Sequence, residues 1–208
     1  MKNKTILQFI VAGACCVLLG SAQAQQEGDP AAGKNKFYTC TGCHAIPGYT
    51  NVYPTYHVPR LGGQHAPYVV AALSAYKAGD RPHRTMQANA SNLSTQDMAN
   101  IAAYVNSLGG SDEAVPVRGN PEAGQKKSET CQACHGPDGN SPDPNFPRLA
   151  GQYEDYLTKA LHDYKSGKRK NAIMNGMAAA LSEKDIADLA AYYASQSQAG
   201  LATIHEFH

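Results

Sequence analysis

Most of this 208-residue chain is one pattern written twice. Residues 59–104 and 147–192, compared at a constant offset of 88, are identical at 21 of 46 positions. The matches include Pro59-Arg60-Leu61 with Pro147-Arg148-Leu149, Gly63-Gln64 with Gly151-Gln152, and Tyr68 with Tyr156. Further on, Tyr76-Lys77 matches Tyr164-Lys165, Met86 matches Met174, and Leu93-Ser94 matches Leu181-Ser182. Upstream, Cys40-Thr41-Gly42-Cys43-His44 answers Cys131-Gln132-Ala133-Cys134-His135 at an offset of 91. The difference is a three-residue insertion in the first unit, between His44 and Pro59. A repeat this close defines the structural units. It divides the chain into a first domain at 25–110, a linker at 111–119 and a second domain at 120–208.

Each unit reads as helical. Asp29-Pro30 and Asn120-Pro121 pair an N-cap with Pro at the first helical position, and a short helix then runs into the Cys pair. Apolar or aromatic residues at 68, 72, 73 and 76, and again at 156, 160, 161 and 164, keep helical spacing up to Gly79 and Gly167. Ser94-x-x-Asp97 and Ser182-x-x-Asp185 are variants of the capping box opening a last helix. No alternating β pattern competes, so the expected class is all-α. Met86 and Met174 fall in the loop before that last helix.

The Cys-x-x-Cys-His pentapeptides match the attachment motif of c-type haem, in which two thiols form thioethers and the adjacent His ligates iron. A four-cysteine zinc site would bring its pairs roughly 15–20 residues apart, and these are 91 apart. A thioredoxin-like pair belongs in a βαβ context, which is absent. Disulfides between neighbouring Cys would leave both His unexplained. The expectation is therefore two covalent haem c groups, held by Cys40, Cys43, Cys131 and Cys134. The whole chain has no Trp and only 4 Phe, so its small units have little to fill a core, and a porphyrin supplies that apolar volume.

For the sixth iron ligand, Met86 and Met174 alone among the methionines after residue 24 occupy equivalent positions. Met98 aligns with Ile186 and is expected in the core, while Met177 is a minor rival to Met174. His83 is the alternative in the first unit; His57, His65 and His162 are expected at the surface, and His205 and His208 lie in a tail. The carbonyls of Pro59 and Pro147 are expected to accept the second ring N–H of His44 and His135, which fixes a ligand imidazole. Arg60 and Arg148 either pair with haem propionates or face solvent.

Lys2 and Lys4, the apolar run 6–20 and Ala22-Gln23-Ala24 form the three parts of a secretory signal peptide, expected at 1–24. The run is shorter than the ~20 residues that span a bilayer. A lipoprotein signal ending at Cys15 or Cys16 is the other reading, without the Leu such a signal expects. Cleavage removes those two Cys, and the expected product is exported and soluble. With 42% apolar residues the chain is too apolar for disorder, and a net charge of +1 argues against a nucleic-acid partner.

Two Cys-x-x-Cys-His units, Pro-Arg-Leu-x-Gly-Gln after each, a Met, then Leu-Ser-x-x-Asp before an Ala-Ala-Tyr helix resemble the dihaem cytochromes of the c4 type. The stretch Cys134-His135-Gly136-Pro137-Asp138-Gly139-Asn140-Ser141-Pro142 is particularly close. The resemblance implies two class I cytochrome c domains related by a pseudo-twofold axis, each wrapped around one covalent haem. It implies axial pairs His44/Met86 and His135/Met174. It further implies a periplasmic electron carrier, not an enzyme, a monomer or weak dimer that associates with the membrane surface. Its partners would be redox proteins: a terminal oxidase, a cytochrome bc1-type complex or a dehydrogenase. The rival reading makes the chain the dihaem cytochrome subunit of a dehydrogenase complex, of the sulfide-oxidising flavocytochrome or alcohol dehydrogenase type. The first unit departs from the pattern at residues 45–56, a Tyr-rich insertion expected either as a docking surface or as a loop packed on the haem edge.

Overall fold

The computed structural model describes residues 27–110, 116–196 and 198–205. The signal-peptide segment therefore lies outside the described residues, as does part of the linker. The first unit holds α1 (Pro30–His44), α2 (Ala66–Ala78), α3 (Arg84–Ser91) and α4 (Thr95–Ser107). The second holds α5 (Pro121–Lys127), α6 (Glu129–His135), α7 (Glu154–Lys165), α8 (Ala172–Ala179) and α9 (Glu183–Ser195). Among the described residues β structure is confined to two isolated bridges, Thr50 with His57 and Gly62 with Ala202. No described helix is long and apolar enough to cross a membrane.

The local signals act as their chemistry requires. Asp29 accepts from Ala31 N at 2.8 Å and Asn120 from Ala123 N at 3.0 Å, each ahead of a Pro. Both capping boxes form completely, Ser94 with Asp97 and Ser182 with Asp185. Gly79 ends α2 in the left-handed region at φ 84°.

In each unit the first and last helices cross at a glycine. Gly33 lies against Asn100, and Gly124 against the equivalent Asp188. Phe37, Val69, Leu73, Met98, Ile101, Tyr104 and Val105 then close the first core, with the Phe37 and Tyr104 rings 5.6 Å apart. Leu157, Ala190, Tyr192, Tyr193 and Ala194 close the second.

One segment ignores the repeat boundary. Residues 201–204, assigned by spacing to the second domain, cross to the first. Ala202 and Gly62 exchange backbone hydrogen bonds of 2.9 and 3.0 Å, and Ile204, 2% exposed, joins the first core. Leu201 N still bonds Ala150 O at 2.8 Å, so this strap ties both units together.

Candidate haem sites

Each Cys-x-x-Cys-His pentapeptide forms the last turn of a helix, α1 or α6, so that positions i, i+3 and i+4 fall on one face. All four Cys are half-buried free thiols, and burial pushes the Cys40 and Cys131 thiols up. His44 Nδ1 lies 3.1 Å from Pro59 O and His135 Nδ1 lies 3.0 Å from Pro147 O. A carbonyl can only accept, so Nδ1 carries the proton and Nε2 keeps the lone pair that binds a metal. Burial drives His44 down to about 4 against the opposing pull of Pro59 O, and the charges of His83 and Arg81 add to the drop. Burial also lowers His135. Both rings are thus neutral at pH 7, the form a metal requires.

The methionines stand on short helices rather than in the expected loop. Each helix is short, and its start is fixed by a side chain: His83 Nδ1 accepts from Met86 N at 3.2 Å and Asn171 Oδ1 from Met174 N at 3.0 Å. Side-chain caps therefore build α3 and α8, which periodicity does not reveal. His83, the alternative ligand of the first unit, spends Nδ1 as this cap. Met86 borders the first core together with Cys40, whereas Met98 lies inside it. Cys131 and Leu149 border the second core; Met174 is half-buried on α8, and Met177 is exposed.

Two histidines expected at the surface lie between the units. His65 is 8% exposed and its Nε2 lies 2.9 Å from Ser141 O. His57 stacks on Tyr153 at 4.4 Å, with Nδ1 2.7 Å from Asp155 Oδ2. Their partners are 76 and 98 residues away, beyond any local pattern. His162 faces Glu183 at 3.3 Å, and His205 is exposed. The Tyr-rich insertion proves two-sided. Its base docks on the second unit, where Gly48 N donates to the Tyr153 hydroxyl and Tyr56 packs on Tyr156. At its tip Val52 and Tyr53 are almost fully exposed.

Two further sets of contacts between units are reciprocal, in keeping with a twofold relation. The Gln152 amide holds Arg60 N and O, each at 3.0 Å, and the Gln64 amide holds Arg148 N and O at 2.9 and 3.0 Å. Arg81 donates to the Tyr156 hydroxyl, and Arg169 to the equivalent Tyr68 hydroxyl at 3.0 Å. The Arg60 guanidinium, instead of facing solvent, donates to Gly151 O at 3.0 Å and lies over the Tyr153 ring.

These residues fit haem. Arg81 and Arg169 are each 8% exposed, and among the described residues neither forms an ion pair with a carboxylate. Buried guanidinium groups call for anions, which a porphyrin's propionates supply. Arg148 Nε is likewise buried without a hydrogen-bond partner. Among the described residues no cluster of three or more His, Cys, Asp or Glu is placed to hold a bare metal ion.

Comparison with known proteins agrees. The family model described as Cytochrome c matches twice, at residues 30–109 and 121–197. Cytochrome c4 of Pseudomonas aeruginosa is 59% identical over 78 residues, covering 38% of this chain and 39% of that protein. Alignments with the first four cytochromes c4 span only 39–45% of their lengths. Cytochrome c-552 of Acidithiobacillus ferridurans is 31% identical over 93% of this chain and 88% of its own. A thiosulfate dehydrogenase electron acceptor of Stutzerimonas stutzeri is 31% identical over 92% and 96%. The crystal structure of reduced cytochrome c4 from Pseudomonas stutzeri superposes with a TM-score of 0.67 at 31% identity, covering 81% of this chain and 99% of that one. The tandem match, the paired helical units and the two Cys-x-x-Cys-His turns agree: this chain belongs to the cytochrome c family, in its two-domain c4-type branch with two covalent haem c groups.

Proposed function

We propose that this protein is a periplasmic carrier that passes electrons one at a time between respiratory partners and toward a terminal oxidase. The observation that carries this reading is the pose of His44 and His135. With Nδ1 given to a Pro carbonyl, each neutral ring has only Nε2 left for iron. Met86 and Met174, held at equivalent positions by equivalent caps, complete the two axial sets. Bound haem supplies a one-electron couple. His44 with Met86, and His135 with Met174, would hold the two irons, and a group so ligated would have no site left for substrate, which suits transfer rather than catalysis. Cys40, Cys43, Cys131 and Cys134 are then thioether anchors. Export through residues 1–24 delivers the protein to the compartment where its partners work.

Similarity along almost the whole chain to a thiosulfate dehydrogenase electron acceptor favours a second reading, in which a dehydrogenase is the donor and holds this protein as a subunit. A stoichiometric enzyme partner surviving purification would select that reading; a lone soluble protein would select the free carrier.

The test is optical. Two haems per chain and a Met–iron charge-transfer band in the oxidised protein are expected. Met86→Ala and Met174→Ala should each remove part of that band. An unchanged band, or ready binding of carbon monoxide by the reduced wild-type protein at neutral pH, would sink the ligand assignment.

A further inference from the structure

The two interdomain glutamines touch the axial histidines through a single peptide group. The Pro59 carbonyl that accepts from His44 Nδ1 belongs to the same peptide as the Arg60 N–H, and that N–H donates to Gln152 Oε1 in the other unit at 3.0 Å. The mirror arrangement runs from His135 Nδ1 through the Pro147–Arg148 peptide to Gln64 Oε1 at 2.9 Å. Both glutamines are 4% exposed, so water does not compete for these bonds. Each amide is fixed on three sides. Its Nε2 donates to the same arginine's carbonyl at 3.0 Å, and its Oε1 also accepts from the next backbone N–H, His65 at 2.9 Å or Tyr153 at 3.1 Å.

We propose that Gln152 and Gln64 are positioning residues that act across the domain boundary, each setting the donor strength of the axial histidine in the opposite unit. The proposal rests on His44 and His135 being the iron ligands. Hydrogen bonds in series polarise one another. A peptide that donates through N–H carries more negative charge on its carbonyl oxygen and accepts more strongly. A stronger Nδ1–H···O bond makes Nε2 more basic, and a more basic ligand favours the oxidised haem. Gln152 therefore holds down the potential of the first haem and Gln64 that of the second. Pro-Arg-Leu-x-Gly-Gln places the tuned peptide and the tuning amide in each unit, but every amide serves its neighbour.

The experiment uses the full chain with both haems, titrated with reductant while each haem's hyperfine-shifted methyl signals are followed by NMR. Gln152→Leu should raise the first haem's potential, changing its oxidised-to-reduced ratio about threefold at a fixed applied potential, and should move the second haem much less. Gln64→Leu should give the mirror result. Gln152→Glu keeps the volume and the acceptor oxygen; it should leave the first haem at or below its wild-type potential, and it decides the matter if the Leu variant does not fold. A Gln152→Leu shift at least as large on the second haem, or Gln152→Glu raising the first haem's potential, would overturn the proposal. The Met–iron band and carbon monoxide reactivity of wild type, recorded on the same preparations, report separately on the axial ligands. Failure of the relay and failure of the ligand assignment are thus distinguishable.

Discussion

A methyl group added at Gly33 would sit 1.9 Å from the backbone oxygen of Asn100, and one at Gly124 would sit 2.0 Å from that of Asp188. No rotamer relieves a backbone clash, so α1 must move off α4, or α5 off α9. Gly33→Ala is expected to cost about 1–3 kcal/mol through forced separation of the helices, seen as a lower unfolding midpoint in the haem-loaded protein. At this scale the sequence was informative where chemistry is strict. The Cys and His of the attachment motif lie at fixed spacing, and each Pro opens a Pro-Arg-Leu run that marks it in both units although it follows its His by 15 residues in one and 12 in the other. It was uninformative for His57 and His65, whose acceptors belong to the other unit. Arg81 and Arg169 escaped notice for the same reason, since each reaches the opposite unit's tyrosine.

Among the elements, the last helix of each unit was legible because its start is written in four residues. Ser94 and Asp97 bond each other's backbone, and Lys36 joins Asp97 at 3.0 Å. The backbone N–H and hydroxyl of Ser94, with the Lys36 ammonium, hold the Asp97 carboxyl down at about 2. A carboxylate with a folded value below its ordinary 3.8 supports the fold fully above about pH 4. That support drains away as pH falls toward 2, because the unfolded chain takes up the proton first. Asp97→Asn should flatten the acid limb of stability between pH ~4 and ~2, measured as urea midpoint against pH. The methionine helices α3 and α8 were not legible. Each is 8 residues long, about two turns, and begins at a cap, a His ring nitrogen or an Asn side chain, too short a run for periodicity to single out. The insertion after His44 was visible as an insertion. Its clasp on the second unit was not, because stacking of His57 on Tyr153 leaves no periodic trace.

For the whole molecule, the repeat gave the architecture and its symmetry, and the exceptions to the repeat give the connections. The strap at 201–204 lies beyond the second family match and has no counterpart among the described residues of the first unit, so comparing the halves could not reveal it. Its energetic weight falls on the far domain. Ile204→Ala removes a side chain 2% exposed within the first core and should cost about 2–4 kcal/mol. Thermal unfolding followed separately at each haem should show the first unit melting earlier while the second is little changed. The strap also bears on how the protein is made. A chain that emerges from its N-terminus presents Cys40 and Cys43 early, yet the core beside them gains Ile204 only after the whole of α5 to α9 has followed. The first unit's core therefore cannot be complete until the second unit's chain has followed it.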